Sequence, residues 1–230
     1  HPALQWMYLN CVDEAGNPVP RTGALMAWYR FANDLYTIRD NSKLQRRLKK
    51  RLLNREQFQG ARQELRVAAL FIAAGFNLDF EDDSVNTRKH GEFVASDKLS
   101  NIKVLVEAKS KHRPGVLGFE QQAKGTSAKT VNIKSLVREA YKKVEELPLY
   151  VFVDTNLPSA SGPQLKEWLD EIHLTMNELA GNGHADPCPA NAVFFSNDPS
   201  HYLLDRTLEE EFDQIWIKHF EATSPKVAHP

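Results

Sequence analysis

Apolar residues recur at helical spacing in six segments of the chain. Within each segment they fall three or four residues apart, as they do on the buried face of an amphipathic helix. Residues that commonly begin or end helices, such as Thr22, Gly75, Pro148 and Gly181, lie at several of their boundaries. The spacing predicts helices over 22–38, 43–53, 59–74, 132–147, 161–180 and 207–220.

Shorter apolar or alternating segments lie between these helices and predict β-strands. They cover 76–81, 90–96, 102–111, 149–154 and 192–196. Residues 97–101 are polar and turn-prone, so the second and third strands should form a hairpin. The strand, helix and strand of 102–154 should form a parallel pair. These elements predict an α/β protein with a mixed central sheet flanked by helices.

One predicted strand ends in an acid and a base. Residues 102–111 read Ile-Lys-Val-Leu-Val-Glu-Ala-Lys-Ser-Lys, an apolar run closed by charged positions. Because side chains alternate between the two faces of a strand, Glu107 and Lys109 should share one face as neighbours. We therefore expect a small chemical site at this end of the strand.

The hairpin and the preceding helix each carry a further acid. Glu92 lies near the start of the second strand, and at the open end of the hairpin it should stand near Glu107. Glu64 lies on the same side of its helix as several apolar residues, so it points toward the core. An ion pair with Arg62 or Lys109, or exposure in the first helical turns, would also account for Glu64.

Charge and cysteine content limit the partners and the compartment. The 29 basic and 30 acidic residues nearly cancel, so a surface that attracts nucleic acid must be local. The most basic segment, 43–53, suits either phosphate contacts or a solvated helix face. Cys11 and Cys188 make no disulfide framework, and no apolar run could span a bilayer, so we expect a cytoplasmic protein. The start at His1 and Pro2 indicates a processed end or a fragment.

The predicted order of helix, three strands, helix and strand, with Glu-x-Lys closing the third strand, resembles the PD-(D/E)xK nuclease superfamily. The resemblance covers about residues 58–156 and implies the restriction-endonuclease-like fold. It assigns Glu107 and Lys109 to the Glu-x-Lys motif. Glu92 would replace the usual aspartate of the second strand, and Glu64 would be the helix acid. Because that aspartate is absent, other candidates for its place stay open, namely Asp79, Asp82, Asp83 and Asp97.

The resemblance also implies a cofactor and roles for these residues. In this superfamily the acids bind Mg²⁺ and the lysine positions or activates the attacking water, so the expected catalytic residues are Glu64, Glu92, Glu107 and Lys109. Mn²⁺ would substitute for Mg²⁺. Glu64, Glu92, Glu107 and the backbone carbonyl of Ala108 would supply the hard oxygen ligands that Mg²⁺ prefers. Cations that flank the motif would hold the nucleic-acid backbone, and they are Arg88, Lys89, Lys111, His112 and Arg113.

We expect three regions in the chain. An N-terminal helical extension with the basic helix covers 1–57, the nuclease-like domain with an added C-terminal helix, strand and helix covers 58–224, and a flexible tail covers 225–230. The expected function is a metal-dependent endonuclease that hydrolyses phosphodiester bonds of DNA in restriction, repair or defence against foreign DNA. RNA is the other substrate considered.

Two rival interpretations stay open. A nuclease-like fold that has lost catalysis would act as a nucleic-acid or protein binding module. Alternatively, the Glu-x-Lys occurs by chance in another α/β domain, in which case Glu64, Glu92 and Glu107 should lie far apart. The sequence also leaves open whether the chain works alone, as a homodimer, or in a complex with a neighbouring domain or a motor subunit.

Overall fold

The computed structural model describes residues 13, 15–17, 23–80, 91–97, 99–113, 130–143, 147–179, 190–202 and 214–219. The helices are α1 (Gly23–Thr37), α2 (Ser42–Leu53), α3 (Phe58–Ala73), α4 (Lys134–Tyr141) and α5 (Gly162–Leu179), with a short 3₁₀ helix over Pro199–Tyr202. The strands are β1 (Asn77–Asp79), β2 (Phe93–Ser96), β3 (Lys103–Ser110), β4 (Leu149–Asp154), β5 (Ala192–Asn197) and β6 (Gln214–His219).

The strands of the described residues form one six-stranded sheet in the order β1 to β6. Strands β1, β2 and β3 are antiparallel neighbours, β3, β4 and β5 are parallel, and β6 is antiparallel to β5. The predicted hairpin and the predicted parallel pair are therefore both present. The prediction of an α/β protein with N-terminal helices and a mixed sheet flanked by helices is confirmed.

The C-terminal part of the sequence prediction is wrong over β6. Leu208, Phe212, Ile215, Trp216 and Phe220 fall at helical spacing, yet Gln214–His219 pairs with β5 from Ala192↔His219 to Asn197↔Gln214. The edge of β5 offers backbone groups for pairing, and the Ile-Trp-Ile run at 215–217 suits a strand better than a helix. Residues 203–213 and 220–230, with the rest of that predicted helix and the predicted tail, lie outside the described residues.

The residues of β3 divide between two apolar layers. Val104 and Val106 belong to a cluster with residues of α1, α2 and α3, whereas Leu105 belongs to a cluster with residues of α4 and α5. Since side chains alternate along a strand, Glu107 and Lys109 lie on the Leu105 side. The sheet is thus covered on both faces, and the acid and base share the face covered by α4 and α5.

Helix α2 is the predicted basic amphipathic helix. The side-chain oxygen of Asn41 accepts a hydrogen bond from the amide of Leu44 at 3.0 Å, and such a cap stabilises a helix by about 1 kcal/mol. Leu44 and Leu48 are buried in the same cluster as residues of α3, while Lys50 is exposed. The helix is therefore held to the core by its apolar face and presents cations outward.

Helices α4 and α5 cover the other face of the sheet. In α5 a stripe formed by Trp168, Ile172 and Met176 is buried, as the spacing predicts. Helix α4 ends at Tyr141, earlier than its apolar spacing predicts, and residues 144–146 lie outside the described ranges. In the part of the chain that the structure describes, no helix is both long and apolar enough to cross a membrane.

A buried carboxylate after β5 fastens the N-terminal helices to the sheet. Asp198 Oδ1 accepts a hydrogen bond from Arg30 Nη1 at 2.7 Å, and Oδ2 accepts one from Arg66 Nη1 at 3.0 Å. Arg62 Nη1 lies 3.8 Å from the same Oδ2. Burial favours the neutral acid, but the surrounding arginines outweigh it and hold the pKa of Asp198 well below its usual range. This carboxylate therefore links α1 and α3 to the turn after β5.

Asp34 of α1 lies near the same arginines, but its pKa is shifted in the direction opposite to that of Asp198. Burial raises its pKa from 3.8 to about 6, although Arg66 and Arg62 act in the opposite direction. A folded-state pKa above the unfolded value means that the folded protein binds the proton more tightly. Asp34 therefore lowers the free energy of unfolding as the pH rises from about 4 through about 6.

Asp34→Asn should raise the free energy of unfolding at pH 8 by about 1–2 kcal/mol, a value discounted for the partial exposure of Asp34. At pH 4 the change should be small, because Asp34 is then already protonated in the folded protein. Urea denaturation at both pH values measures the difference. Asp40→Asn, at a side chain that is 86% exposed, is the control and should change little at either pH. An equal effect of Asp34→Asn at pH 4 and pH 8 would contradict the prediction.

Candidate functional site

Strand β3 holds the predicted acid and base side by side. Lys109 Nζ lies 2.6 Å from Glu107 Oε1. Glu107 is 0% exposed, whereas the side chain of Lys109 is 22% exposed. The structure thus brings these two residues together, with the acid inside the protein and the base reaching toward the surface.

Glu92 lies alongside this pair, immediately before β2. Its amide donates a hydrogen bond to the carbonyl of Val106 at 2.9 Å, and the next residue, Phe93, pairs with Val106 in the antiparallel ladder. Glu92 is buried, and its charge affects the pKa of Glu107. The hairpin therefore places the two carboxylates close together, which is the position that the sequence predicts for Glu92.

Glu64 reaches the site indirectly, through an arginine. It is fully buried on α3, and its Oε2 contacts Arg51 Nη1 from α2. The same Nη1 lies 4.0 Å from Glu92 Oε2, so one guanidinium bridges the two acids. Arg51 is a partner of Glu64 that the sequence analysis did not predict. Arg62, one of the two partners considered from the sequence, contacts Asp154 and Asp198 at 3.8 Å each.

Charges of both signs surround Glu107. Burial raises the pKa of Glu107 and the charge of Glu92 raises it further, whereas Lys109 and Lys143 act to lower it. Burial alone would lower the pKa of Lys109, but Glu107 and Glu92 raise it above its usual range. Lys109 therefore keeps its positive charge at neutral pH.

Lys143 is a residue of the site that the sequence analysis missed. Its Nζ lies 3.9 Å from Glu107 Oε1, and its amide donates to the carbonyl of Ala140 at 3.0 Å, just past the end of α4. The sequence feature that could have indicated this residue is the Lys142-Lys143 pair near the end of the predicted crossover helix. Because that helix ends earlier than its apolar spacing predicts, sequence spacing did not show which lysine approaches β3.

The carboxylate oxygens around Glu107 provide some of the ligands that Mg²⁺ requires. Apart from the ion-pair contact with Lys109, neither carboxylate oxygen of Glu107 accepts a hydrogen bond from a described residue, although both oxygens are buried. The described residues contain no group of three or more His, Cys, Asp or Glu side chains arranged to hold a metal ion. Mg²⁺ usually binds one or two protein carboxylates and keeps several waters. Glu92 and Glu107 therefore fit Mg²⁺ as a two-carboxylate set, with Glu64 held by Arg51.

The other acids considered for the second strand have different places. Asp97 Oδ1 accepts from the amide of Leu99 at 3.0 Å and Oδ2 from the amide of Ser100 at 3.1 Å, so Asp97 stabilises the turn between β2 and β3. Asp79 is exposed on β1. Glu92 is thus the one of these acids that the described structure places beside Glu107. Outside the described residues lie Asp82 and Asp83, together with the predicted phosphate contacts Arg88 and Lys89.

Arg113 stabilises the fold through contacts with the backbone. It is buried, and its guanidinium donates to four backbone carbonyls, those of Thr130, Val131, Thr155 and Asn156. Its own amide donates to Gln59 Oε1 at 2.9 Å. These bonds, made by Nε and Nη2, give Arg113 a structural role, and its contact with phosphate stays a prediction. Lys111 is half-buried and His112 is exposed, so these two still reach the surface at the end of β3.

Arg113→Ala should lower the free energy of unfolding by at least about 3 kcal/mol, because several buried carbonyls lose a charged donor. His112→Ala removes the exposed neighbouring side chain and should change the free energy of unfolding by about 0.5 kcal/mol or less. Urea denaturation followed by circular dichroism measures both. Similar small effects of the two variants would show that the guanidinium bonds contribute little.

Gly91→Ala should displace the start of β2, and with it Glu92. A Cβ on Gly91 would lie 2.6 Å from Leu105 Cδ1 and 3.1 Å from the carbonyl oxygen of Val106. Overpacking of this kind costs about 1–3 kcal/mol, which urea denaturation detects. Gly60→Ala is the control, because its Cβ would meet only Arg51 Nη2 at 3.9 Å and alanine favours the helix. An unchanged Gly91→Ala protein would contradict the close approach.

Comparison with known proteins shows no family for this chain. No family model matches it, and no curated protein and no solved structure matches it. The structure itself shows an α/β protein with a mixed sheet between helices. The likeness to the PD-(D/E)xK superfamily therefore depends on the order of the elements and on the residues at the end of β3.

Proposed function

We propose that this protein is a metal-dependent nuclease that hydrolyses phosphodiester bonds of DNA, in restriction, repair or defence against foreign DNA. The observation that carries the proposal is the contact of 2.6 Å between Lys109 Nζ and Glu107 Oε1, with Glu92 alongside in the hairpin. Two carboxylates and a charged lysine at one place are the groups that this reaction requires.

The element order supports the same proposal. Helix α3, strands β1 to β3, helix α4 and strand β4 follow one another as helix, antiparallel strands, crossover helix and parallel strand. This is the order of the restriction-endonuclease-like fold that the resemblance implies. Within it, Glu64, Glu92, Glu107 and Lys109 would take the helix, second-strand and third-strand positions of the superfamily motif.

The chain's own side chains have separate tasks in this mechanism. Glu92 and Glu107 would hold Mg²⁺ or Mn²⁺, which when bound polarises a phosphoryl oxygen and makes bound water more acidic. Lys109 keeps a positive charge beside them, where it stabilises negative charge that develops on the transferring phosphate. Lys143 adds a second positive charge close to Glu107. The burial of Glu107 strengthens these interactions, because the dielectric is low there.

The nucleic-acid backbone would meet local cations. The formal net charge of the whole chain is −1, so general attraction to nucleic acid is absent. Helix α2 presents Lys49 and Lys50 on its exposed face, and Lys111 lies just past β3. Contacts from such side chains to phosphates supply affinity that is independent of sequence and that weakens with salt.

A binding module without catalysis is the second candidate. One observation favours it, since Arg51 contacts Glu64 and lies 4.0 Å from Glu92, where it would compete with a metal ion. In such a module the same fold would bind DNA or a protein and leave the phosphodiester bonds intact.

Cleavage assays with charge-removing variants separate these candidates. Glu107→Gln and Lys109→Gln should each reduce the cleavage of plasmid DNA in Mg²⁺ or Mn²⁺ by about 100-fold or more. Lys103→Gln is the matched control, because Lys103 is exposed at the other end of β3 and should leave the rate unchanged. Single-stranded DNA and RNA in parallel reactions define the substrate, and EDTA should stop the reaction.

Undiminished cleavage in both site variants, or cleavage that persists in EDTA, would exclude this site. Tight DNA binding without cleavage of any of the three substrates would support the binding module instead.

A further inference from the structure

Arg51 enters the acidic site from the N-terminal helices. It lies in the last turn of α2, outside the region of the superfamily resemblance, and its side chain is 33% exposed. Its Nη1 contacts Glu64 Oε2 on α3 and lies 4.0 Å from Glu92 Oε2 before β2. One side chain thus joins two acids that come from different elements of the fold.

The charges explain why an arginine is found here. Glu64 and Glu92 are both buried, and a buried carboxylate without a compensating charge is strongly destabilising. A guanidinium is always charged and has five N–H donors in a fixed plane, so one group serves both acids. Lys109 and Lys143 approach Glu107 in the same way. These three side chains therefore already supply positive charge of the kind that a divalent metal ion would bring to the site.

We propose that Arg51, anchored on Glu64, is a resident counter-cation that competes with the divalent metal ion for Glu92, an inference that rests on the proposed nuclease function. A metal ion at Glu92 would then be repelled by the nearby guanidinium, and its binding would be strengthened when the guanidinium withdraws. Arg51 is a positioning residue in this scheme, since it acts on the ligands of the metal and not on the substrate.

The competition couples metal binding to the placement of α2. The apolar face of this helix stays in the core through Leu44 and Leu48, so only its last turn and the long Arg51 side chain need to move. Because Arg51 is partly exposed, its guanidinium has solvent to move into. A phosphate of the substrate backbone that binds Arg51 should therefore strengthen metal binding. By linkage, the bound metal ion should strengthen the binding of that phosphate by the same factor.

Mn²⁺ titrations of the full chain by isothermal titration calorimetry test this inference. Arg51→Gln removes the charge and should bind Mn²⁺ roughly tenfold more tightly than the wild type. Arg51→Lys keeps the charge and should stay close to the wild type. Lys50→Gln is the matched control, because it removes the neighbouring exposed charge of α2 and should leave the affinity unchanged.

Thermal unfolding with and without Mn²⁺ keeps the test valid if Arg51→Gln is less stable. A ligand that binds only the folded state stabilises it more when its affinity is higher, so Mn²⁺ should raise the midpoint of Arg51→Gln more than that of the wild type. A purely structural role of Arg51 would lower the midpoint in both conditions and leave the affinity unchanged.

Equal or weaker Mn²⁺ binding by Arg51→Gln would overturn the inference. If the wild type still cleaves DNA with Mn²⁺ and depends on Glu107, the proposed function survives that result and only the role of Arg51 fails. Mn²⁺ binding by Arg51→Gln with no detectable Mn²⁺ binding by the wild type would also support the inference. If neither the wild type nor any variant binds Mn²⁺ at concentrations at which the protein stays folded, both proposals fail.

Discussion

The buried carboxylate of Glu107 is the constraint on which the candidate site depends. Strand β3 lies between β2 and β4, and the Glu107 side chain shares the sheet face of Leu105, so its carboxylate is buried. A charge in such a place costs several kcal/mol unless opposite charges compensate it. The fold supplies these charges through Lys109 of the same strand and Lys143 beyond α4. Arg51 does the same for the neighbouring acids.

Two buried acids of this protein are compensated by cations in different ways. Asp198 accepts close hydrogen bonds from Arg30 and Arg66, which join helices to the sheet and satisfy the carboxylate. Glu107 instead has Lys109 Nζ at 2.6 Å and Lys143 Nζ at 3.9 Å from its Oε1. Asp198 therefore joins separate elements of the fold, whereas the cations of Glu107 gather around one buried acid of the candidate site.

The N-terminal helices belong to the same structural unit as the site. Leu44 and Leu48 of α2 are buried in one cluster with Leu65 and Val67 of α3. Apolar packing therefore crosses residue 57, and the predicted division of the chain at that residue stays a prediction. The end of α2 carries Arg51 into contact with Glu64, so the packing of this helix sets the charge balance of the site.

The sequence by itself determined most of the elements and the neighbourhood of Glu107 and Lys109. Both depend on the repeat of apolar positions and on strand alternation, which are local. Tertiary structure decided that β6 is a strand, because the open edge of β5 overrides the helical spacing there. It also decided that Arg51 bridges two acids and that Arg113 is committed to backbone carbonyls. These roles arise from contacts between residues far apart in the chain, and the spacing of residues along a sequence does not specify which distant partners meet.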